Sequence, residues 1–454
     1  MSGSESSEGG LERSLGLLDS VLLSVGGMVG AAIFIFPGTT GQMIGPSSVL
    51  AWVGAGVLIS AIALVYTELS LAFPKAGGPA VFPYETLGRN PTVRAFASYL
   101  EGVSYAIGWG FAITVSALAI ANYAAVIVPS AAGGTVPIAV AAILLAGAVN
   151  LVGVDATSRT NLVLSLLLLA VLVVFVALGV ARADLTNYQP FFRGAPFEFF
   201  AAMNVALTGY GAWTAIPSAA EEIEEPTRTI PRAIMLSLLV TGLLYAAVVL
   251  AVHALVPQSE FVQGGAVLTT PLGVAAGALG VPWFGQYVLP FAAIVAIFTT
   301  MLVGTLSAGR VLFALGRNGT LPSAFASISS RFGVPWVGIL AIMALAGVFA
   351  AFPQYFYQLL VIAAVVGTGI PYAINILAFL GLRRYRPDVA TPFRAPGGPW
   401  LALVAFVALA VAMISLSVTG LVGSVLAVAL IAAYFVVRYY RHADDFERPA
   451  MPAR

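Results

Sequence analysis

The residues with the most chemistry to offer in this chain are glycines. Gly26, Gly27 and Gly30, followed by Ala31 and Ala32, interrupt the apolar stretch VGGMVGAAIF at 25–34. Each interior glycine costs a helix about 1 kcal/mol relative to alanine. A second interruption, TGYGAW at 208–213, sets Thr208, Gly209, Tyr210, Gly211 and Trp213 inside another apolar stretch. Backbone freed at a break finds no partner in hydrocarbon, so within a membrane it persists where it lines a cavity and meets a polar ligand. A half-helix beginning near Ala31 offers unpaired N–H groups and a positive dipole end, which suit a carboxylate. The helix ends before each break offer carbonyls, which suit an ammonium or a metal cation. Two such breaks together make a cradle for a zwitterion, and an α-amino acid fits it. For one break alone, tight helix packing is an equal reading, because Gly26 and Gly30 form a GxxxG pair. Two breaks at matching positions of two halves, beside Pro37 and Pro217, favour a ligand site.

Other chemistries find little support. The chain has no cysteine, so thiol catalysis, disulfides and thiolate clusters are excluded. Its two histidines, His253 and His442, are far apart, and no metal-ligand cluster is visible. There is no nucleophile with a base, no H-E-x-x-H pattern and no nucleotide-binding loop. This points away from an enzyme and from direct use of ATP, and no cofactor is expected. A formal net charge of +1 implies no nucleic-acid partner.

The elements that position the breaks follow from composition. Hydrophobic residues make up 60% of the 454 and charged residues 9%, against about 25% charged in soluble domains. A soluble fold of this size could not cover its surface, so the chain reads as a polytopic, all-α membrane protein embedded in a lipid bilayer. A spanning helix needs about 20 apolar residues. Twelve segments qualify, at 17–42, 47–73, 95–128, 134–151, 158–181, 198–220, 231–255, 284–315, 335–352, 356–382, 399–419 and 422–440. An even number puts both termini on one side. Of the 20 Lys and Arg residues, only Arg182 and Arg193 fall in loops on the other side. The positive-inside rule then makes the termini cytoplasmic and the location the cell membrane. The polar start, MSGSESSEGGLER, lacks the basic region of a cleaved signal and reads as a tail.

Four motifs in order suggest a family. GGMVGAAIFIFPG resembles the first-span signature of the amino acid–polyamine–organocation (APC) transporters, whose fold is that of LeuT. AFPKAGGPAVFPYETLG resembles their loop after span two, GYGAWTAIPSAAEEIEEPTRTIPRAI their sixth span and following loop, and SAGRVLFALGRNGTLP the end of their eighth span. The resemblance implies twelve spans as a 5+5 inverted repeat with broken helices one and six, plus two C-terminal helices. It divides the chain into a tail at 1–14, repeats at 15–182 and 196–384, a final pair at 398–440 and a tail at 441–454. By position, the amides of Ala31 and Ala32 would hold a substrate carboxylate, and the carbonyls of Met28, Thr208 and Gly211 its amine. Val29, Gly30 and Gly209 complete the two breaks, and Tyr210 or Trp213 would be the aromatic near substrate or gate. The family usually carries glycine where this chain has Ala32.

The resemblance implies a secondary transporter of amino acids working by alternating access. No acidic residue is expected at the depth of the site and no arginine either, which favours a neutral or apolar L-amino acid. Walls are expected from spans three, eight and ten, for example Ile113, Ser116, Gly304 and Thr368. Alternatives are a polyamine or cationic amino acid exchanger, or a non-transporting sensor on the same fold. Proton-coupled relatives carry a lysine in span five, but the matching position here is near Leu168, and Lys75 is the only lysine in the chain. A sodium site would draw carbonyls from Gly26 and Val29 and hydroxyls from Thr305 and Ser307, or those hydroxyls bond back to their own helix. The coupling ion, Na⁺ or H⁺, and the oligomeric state are left open. Glu101, Glu221, Glu222 and Arg310 form a candidate cytoplasmic gate, or are equally solvated helix ends.

Overall fold

Apolar segments of this length bury their backbone polarity only as helices, and the computed structural model is built accordingly. It describes residues 13–263, 266–267, 270–415 and 418–441. The expected tails, and His442 with them, lie outside the described residues apart from positions 13–14 and 441. In chain order the helices are α1 Leu17–Met28, α2 Ala31–Ile44, α3 Ser48–Ala72, α4 Gly78–Thr86, α5 Pro91–Ile127, α6 Thr135–Val152, α7 Val154–Ala181, α8 Pro196–Gly209 and α9 Ala215–Ser218. They continue with α10 Pro226–Leu255, α11 Pro271–Gly277, α12 Leu289–Arg317, α13 Trp336–Ala350, α14 Phe356–Ala364, α15 Ile370–Tyr385, α16 Gly398–Ile414 and α17 Val418–Arg441. A two-residue hairpin pairs Val262–Gln263 with Ala266–Val267.

Eight helical stretches among the described residues are long and apolar enough to cross a membrane. Leu17–Met28, Trp336–Ala350 and Gly398–Ile414 are shorter apolar helices. Each apolar segment read from the sequence falls on one of these helices or on a broken pair. The outer surface carries large exposed apolar side chains, among them Val163, Leu243, Val404 and Leu430. On a water-soluble protein such a surface would be a liability; here it is the face offered to lipid.

Two long helices, α5 and α12, run side by side through the centre. α1 and α2 lean against α12 and α8, so both breaks lie inside the bundle. Where α5 passes the π-helical turn at Val365–Gly369, Gly108 meets Gly367. A β-carbon on Gly108 would lie 2.1 Å from the Gly367 Cα, so the two backbones touch without side chains between them.

Ion pairs gather at the end of the bundle that carries the chain termini. Lys75 reaches Glu85 at 3.1 Å, Arg383 reaches Glu68 at 2.7 Å, and Arg317 reaches Glu221 at 3.0 Å. Glu68 also accepts from the Ala395 amide at 2.7 Å, which ties the α15–α16 connection to α3.

Candidate functional site

The first break is two residues long. Val29 and Gly30 leave helical geometry between α1 and α2, and no side chain caps the start of α2. The first N–H groups of a helix have no intrahelical acceptor, so those of Ala31 and Ala32 face the break unpaired by any cap. Glycine is required at position 30 for space: a β-carbon there would lie 1.5 Å from Thr300 Oγ1 and 2.9 Å from the Ala296 carbonyl. The second break follows Gly209, where α8 gives way to a 3-10 turn at Gly211–Thr214 and then to α9.

The breaks lie against one another. A β-carbon on Gly209 would come within 2.9 Å of the Ala32 methyl, and one on Gly27 within 2.8 Å of the Ala212 methyl. The methyl of Ala32 therefore takes the space that Gly209 leaves, which accounts for alanine at that position. From α10, the Tyr245 hydroxyl donates to the carbonyls of both Met28 and Gly209, the latter at 2.9 Å.

Between the breaks is a cavity of about 90 Å³. Met28, Ala31, Ala32, Thr208, Gly209 and Gly211 line it. Among the described residues, no charged side chain does. Its walls come from α5 (Tyr105, Trp109, Ser116), α12 (Thr300) and α14–α15 (Leu360, Thr368, Tyr372). Toward the termini it is floored in layers. The Tyr105 hydroxyl meets Thr214 at 2.7 Å and Ser307 at 2.6 Å, and Ser307 donates to Ser218 at 2.9 Å. Beside them Trp213 donates to Tyr372 Oη at 3.1 Å and meets the Tyr66 ring edge-on at 4.9 Å. Below, Arg310 grips Glu222 through Nε and, at 2.6 Å, through Nη2. Both members of this pair are buried, 2% and 1% exposed.

A model of the amino acid permease family matches residues 15–438, nearly the whole chain. The chain belongs to the amino acid permease family. The permease is similar to the branched-chain amino acid permease BcaP of Bacillus subtilis, 27% identical over 411 residues, which cover 87% of this chain and 86% of that protein. It is equally similar to the methylthioribose transporter of the same bacterium, 27% identical over 423 residues, again 87% and 86%. The chloroplastic cationic amino acid transporter 9 of Arabidopsis thaliana is 30% identical over 342 residues, 70% of the permease and 58% of that protein. These relatives are permeases and transporters, so the permease is a multi-pass membrane transporter of the APC superfamily and not an enzyme.

Several site residues expected from the sequence lie elsewhere in the permease. Val29 and Gly30 form the first break behind the cavity wall. Tyr210 turns away from the cavity, donating to the Trp52 carbonyl at 3.1 Å, and Trp213 lies in the floor. The Met28 carbonyl already accepts from Tyr245 and from the Gly30 amide, and Gly211 O accepts from Thr214. The α12 hydroxyls that meet span-one carbonyls are those of Thr299, donating to Gly26 at 2.7 Å, and Thr300, donating to Gly27 at 2.9 Å. Ser307 is two turns further along α12, about 12 Å by helix rise, and belongs to the floor; Thr305 is buried in the same helix and is not brought to Gly26. On α7 the residues against Gly26 are Asn161 and Ser165. Ser116 and Thr368 line the cavity, whereas Gly304 stands behind Trp109. Of the gate candidates, Arg310 and Glu222 are joined and Glu221 pairs with Arg317, but Glu101 bonds to Asn375 at 3.1 Å. Sequence reading missed Tyr105 and Trp109, whose i, i+4 spacing beside Gly108 was the available signal. It also missed Thr299, Thr300, Tyr245 and Tyr372.

Proposed function

We propose that the permease is a secondary active transporter of neutral, apolar L-amino acids, working by alternating access in the cell membrane with both termini cytoplasmic. One observation carries the substrate class: among the described residues, no charged side chain lines the cavity between the broken helices. A cationic side chain or a polyamine would leave a buried charge without a partner, at a cost of several kcal/mol. The backbone alone serves the zwitterion, with the α2 N-terminus for the carboxylate and carbonyls of Met28, Thr208 or Gly211 for the ammonium. To hold the ammonium, the carbonyls of Met28 and Gly211 must exchange a hydroxyl donor for it.

The twelve-span reading with repeats at 15–182 and 196–384 and a final pair at 398–440 accommodates both breaks as matched first helices. The distribution of Lys and Arg supports the orientation. The Arg310–Glu222 pair and the aromatic layer above it are the gate toward the cytoplasm, closed in this conformation. A coupling cation, if Na⁺, would lie near the Gly26 and Gly27 carbonyls, which the hydroxyls of Thr299 and Thr300 meet, with Val29 beside them at the first break.

Counterflow in proteoliposomes tests the reading. Vesicles loaded with unlabelled isoleucine should concentrate labelled isoleucine, and excess arginine or putrescine should not compete. Competition by arginine overturns the substrate class. Saturable binding of isoleucine without any flux overturns transport in favour of a sensor.

A further inference from the structure

Glu101 has no use in the cradle or in the closed gate, and its surroundings are unusual for a carboxyl. It is fully buried on α5, one helical turn from Tyr105 on the terminus side of the cavity floor. Its Oε1 accepts from Asn375 Nδ2 at 3.1 Å, and the same amide donates to Tyr66 Oη at 3.0 Å. Its Oε2 has no hydrogen-bond partner, and neither has Asn375 Oδ1.

No cation answers this carboxyl among the described residues. Asn375 from α15 bonds it and Tyr66 from α3 shares that amide; on its own helix Tyr105 lies one turn on, and the buried Ser104 hydroxyl at i+3 has no partner among the described residues. The basic residues of the packed elements are committed elsewhere or exposed, Arg317 on α12 to Glu221 and Arg384 on α15 over the Tyr385 ring. Arg310 on α12 is held by Glu222, Arg383 on α15 by Glu68, and Lys75, Arg94 and Arg386 by Glu85. Arg438 on α17 donates to the carbonyls of Gly319 and Leu321, and Tyr434 and Tyr439 of that helix stack with Tyr99 and Phe435. An isolated carboxylate is too costly to bury, and such a group neutralises instead. A neutral carboxyl and a carboxamide each present a donor and an acceptor, so protonation gives Glu101 a donor beside acceptors left open by the single Nδ2–Oε1 bond.

We propose that Glu101 is the proton-binding site of the permease: it carries a proton while the floor is closed and releases it toward the terminus side when α15 parts from α5. The step is a simple ionisation, the carboxylic acid giving a carboxylate and a proton to water that enters with the opening. Substrate and proton leave by the same opening, which makes the group a means of proton coupling without a span-five lysine. The coupling rests on the transport reading above; the bound proton does not.

Infrared spectroscopy of the purified wild type at pH 7 tests the bound proton directly. The expected result is a carbonyl stretch from a protonated carboxylic acid, shifted in D₂O and lost in Glu101→Gln. Asn375→Ala, which removes the one donor to that carbonyl, should move the band to higher frequency, so the assignment does not hang on one variant. A wild type without the band, or a band untouched by both substitutions, overturns the proposal. In proteoliposomes, wild-type isoleucine uptake should rise under an inward acid gradient, and Glu101→Gln uptake, at whatever rate it runs, should ignore the gradient. An equal response of both overturns the coupling. Absence of isoleucine counterflow in the wild type would sink the transport reading, while the infrared result would still decide the proton site.

Discussion

Replacing Gly304 by alanine asks whether the Trp109 indole sets the size of substrate the cavity accepts. A β-carbon at position 304 would lie 2.1 Å from Trp109 Cε3 and 2.5 Å from Cζ3. Carbon atoms pack at about 3.5 Å, so the ring must withdraw by roughly 1.4 Å. Behind it is α12; before it is the cavity. With only about 90 Å³ available, a shift of that size removes the room for a branch of an aliphatic side chain. One methylene in an apolar pocket discriminates by about 1–3 kcal/mol, or 10–200-fold. The preference for isoleucine over alanine should therefore fall about tenfold or more. The assay is competition of unlabelled alanine, valine and isoleucine against labelled substrate in proteoliposomes. Thermal unfolding is measured in parallel, because overpacking costs about 1–3 kcal/mol by itself. An unchanged ratio in a folded variant would refute the assignment of Trp109 as the size filter.

Other perturbations follow from the same geometry. Gly30→Ala places a methyl on Thr300 and the Ala296 carbonyl, so it should abolish isoleucine binding by calorimetry while the helical circular dichroism signal stays. Arg310→Met leaves Glu222 buried alone and should cost about 3–5 kcal/mol, read as a lowered unfolding midpoint; Arg310→Met with Glu222→Leu should recover much of it. Tyr245→Phe withdraws the hydroxyl shared by Met28 and Gly209. It should lower stability by about 1–3 kcal/mol through carbonyls left without a donor, and slow counterflow.

The breaks were legible because they are written in residue type: glycine inside an apolar helix has few explanations, and two such places restrict them further. The charged cluster near the terminus-side helix ends was legible only as a group, without its pairing of Arg310 with Glu222. Depth along a helix was harder. Thr299 and Ser307 are both hydroxyls on α12, and only the packing of α1 against α12 decides which one meets Gly26. Glu101 and Glu222 looked alike as acids near one end of the bundle. What separates them is whether an arginine lies within reach, which depends on helix rotation that apolar sequence, hydrophobic on all faces, does not encode. Tyr245 left no trace in the sequence, since an aromatic residue in a spanning helix is ordinarily core.

The Tyr245 hydroxyl has a single proton and two carbonyls that claim it, one from each broken helix. A bond shared this way is weaker at each end than one given outright, so the two helix ends are held together by a donor stretched between them. In the proposed binding mode an ammonium brings three protons to the Met28 carbonyl and its neighbours across the break. It would take over the Met28 end, leave the Tyr245 proton to Gly209 alone, and so free the two halves to move relative to one another.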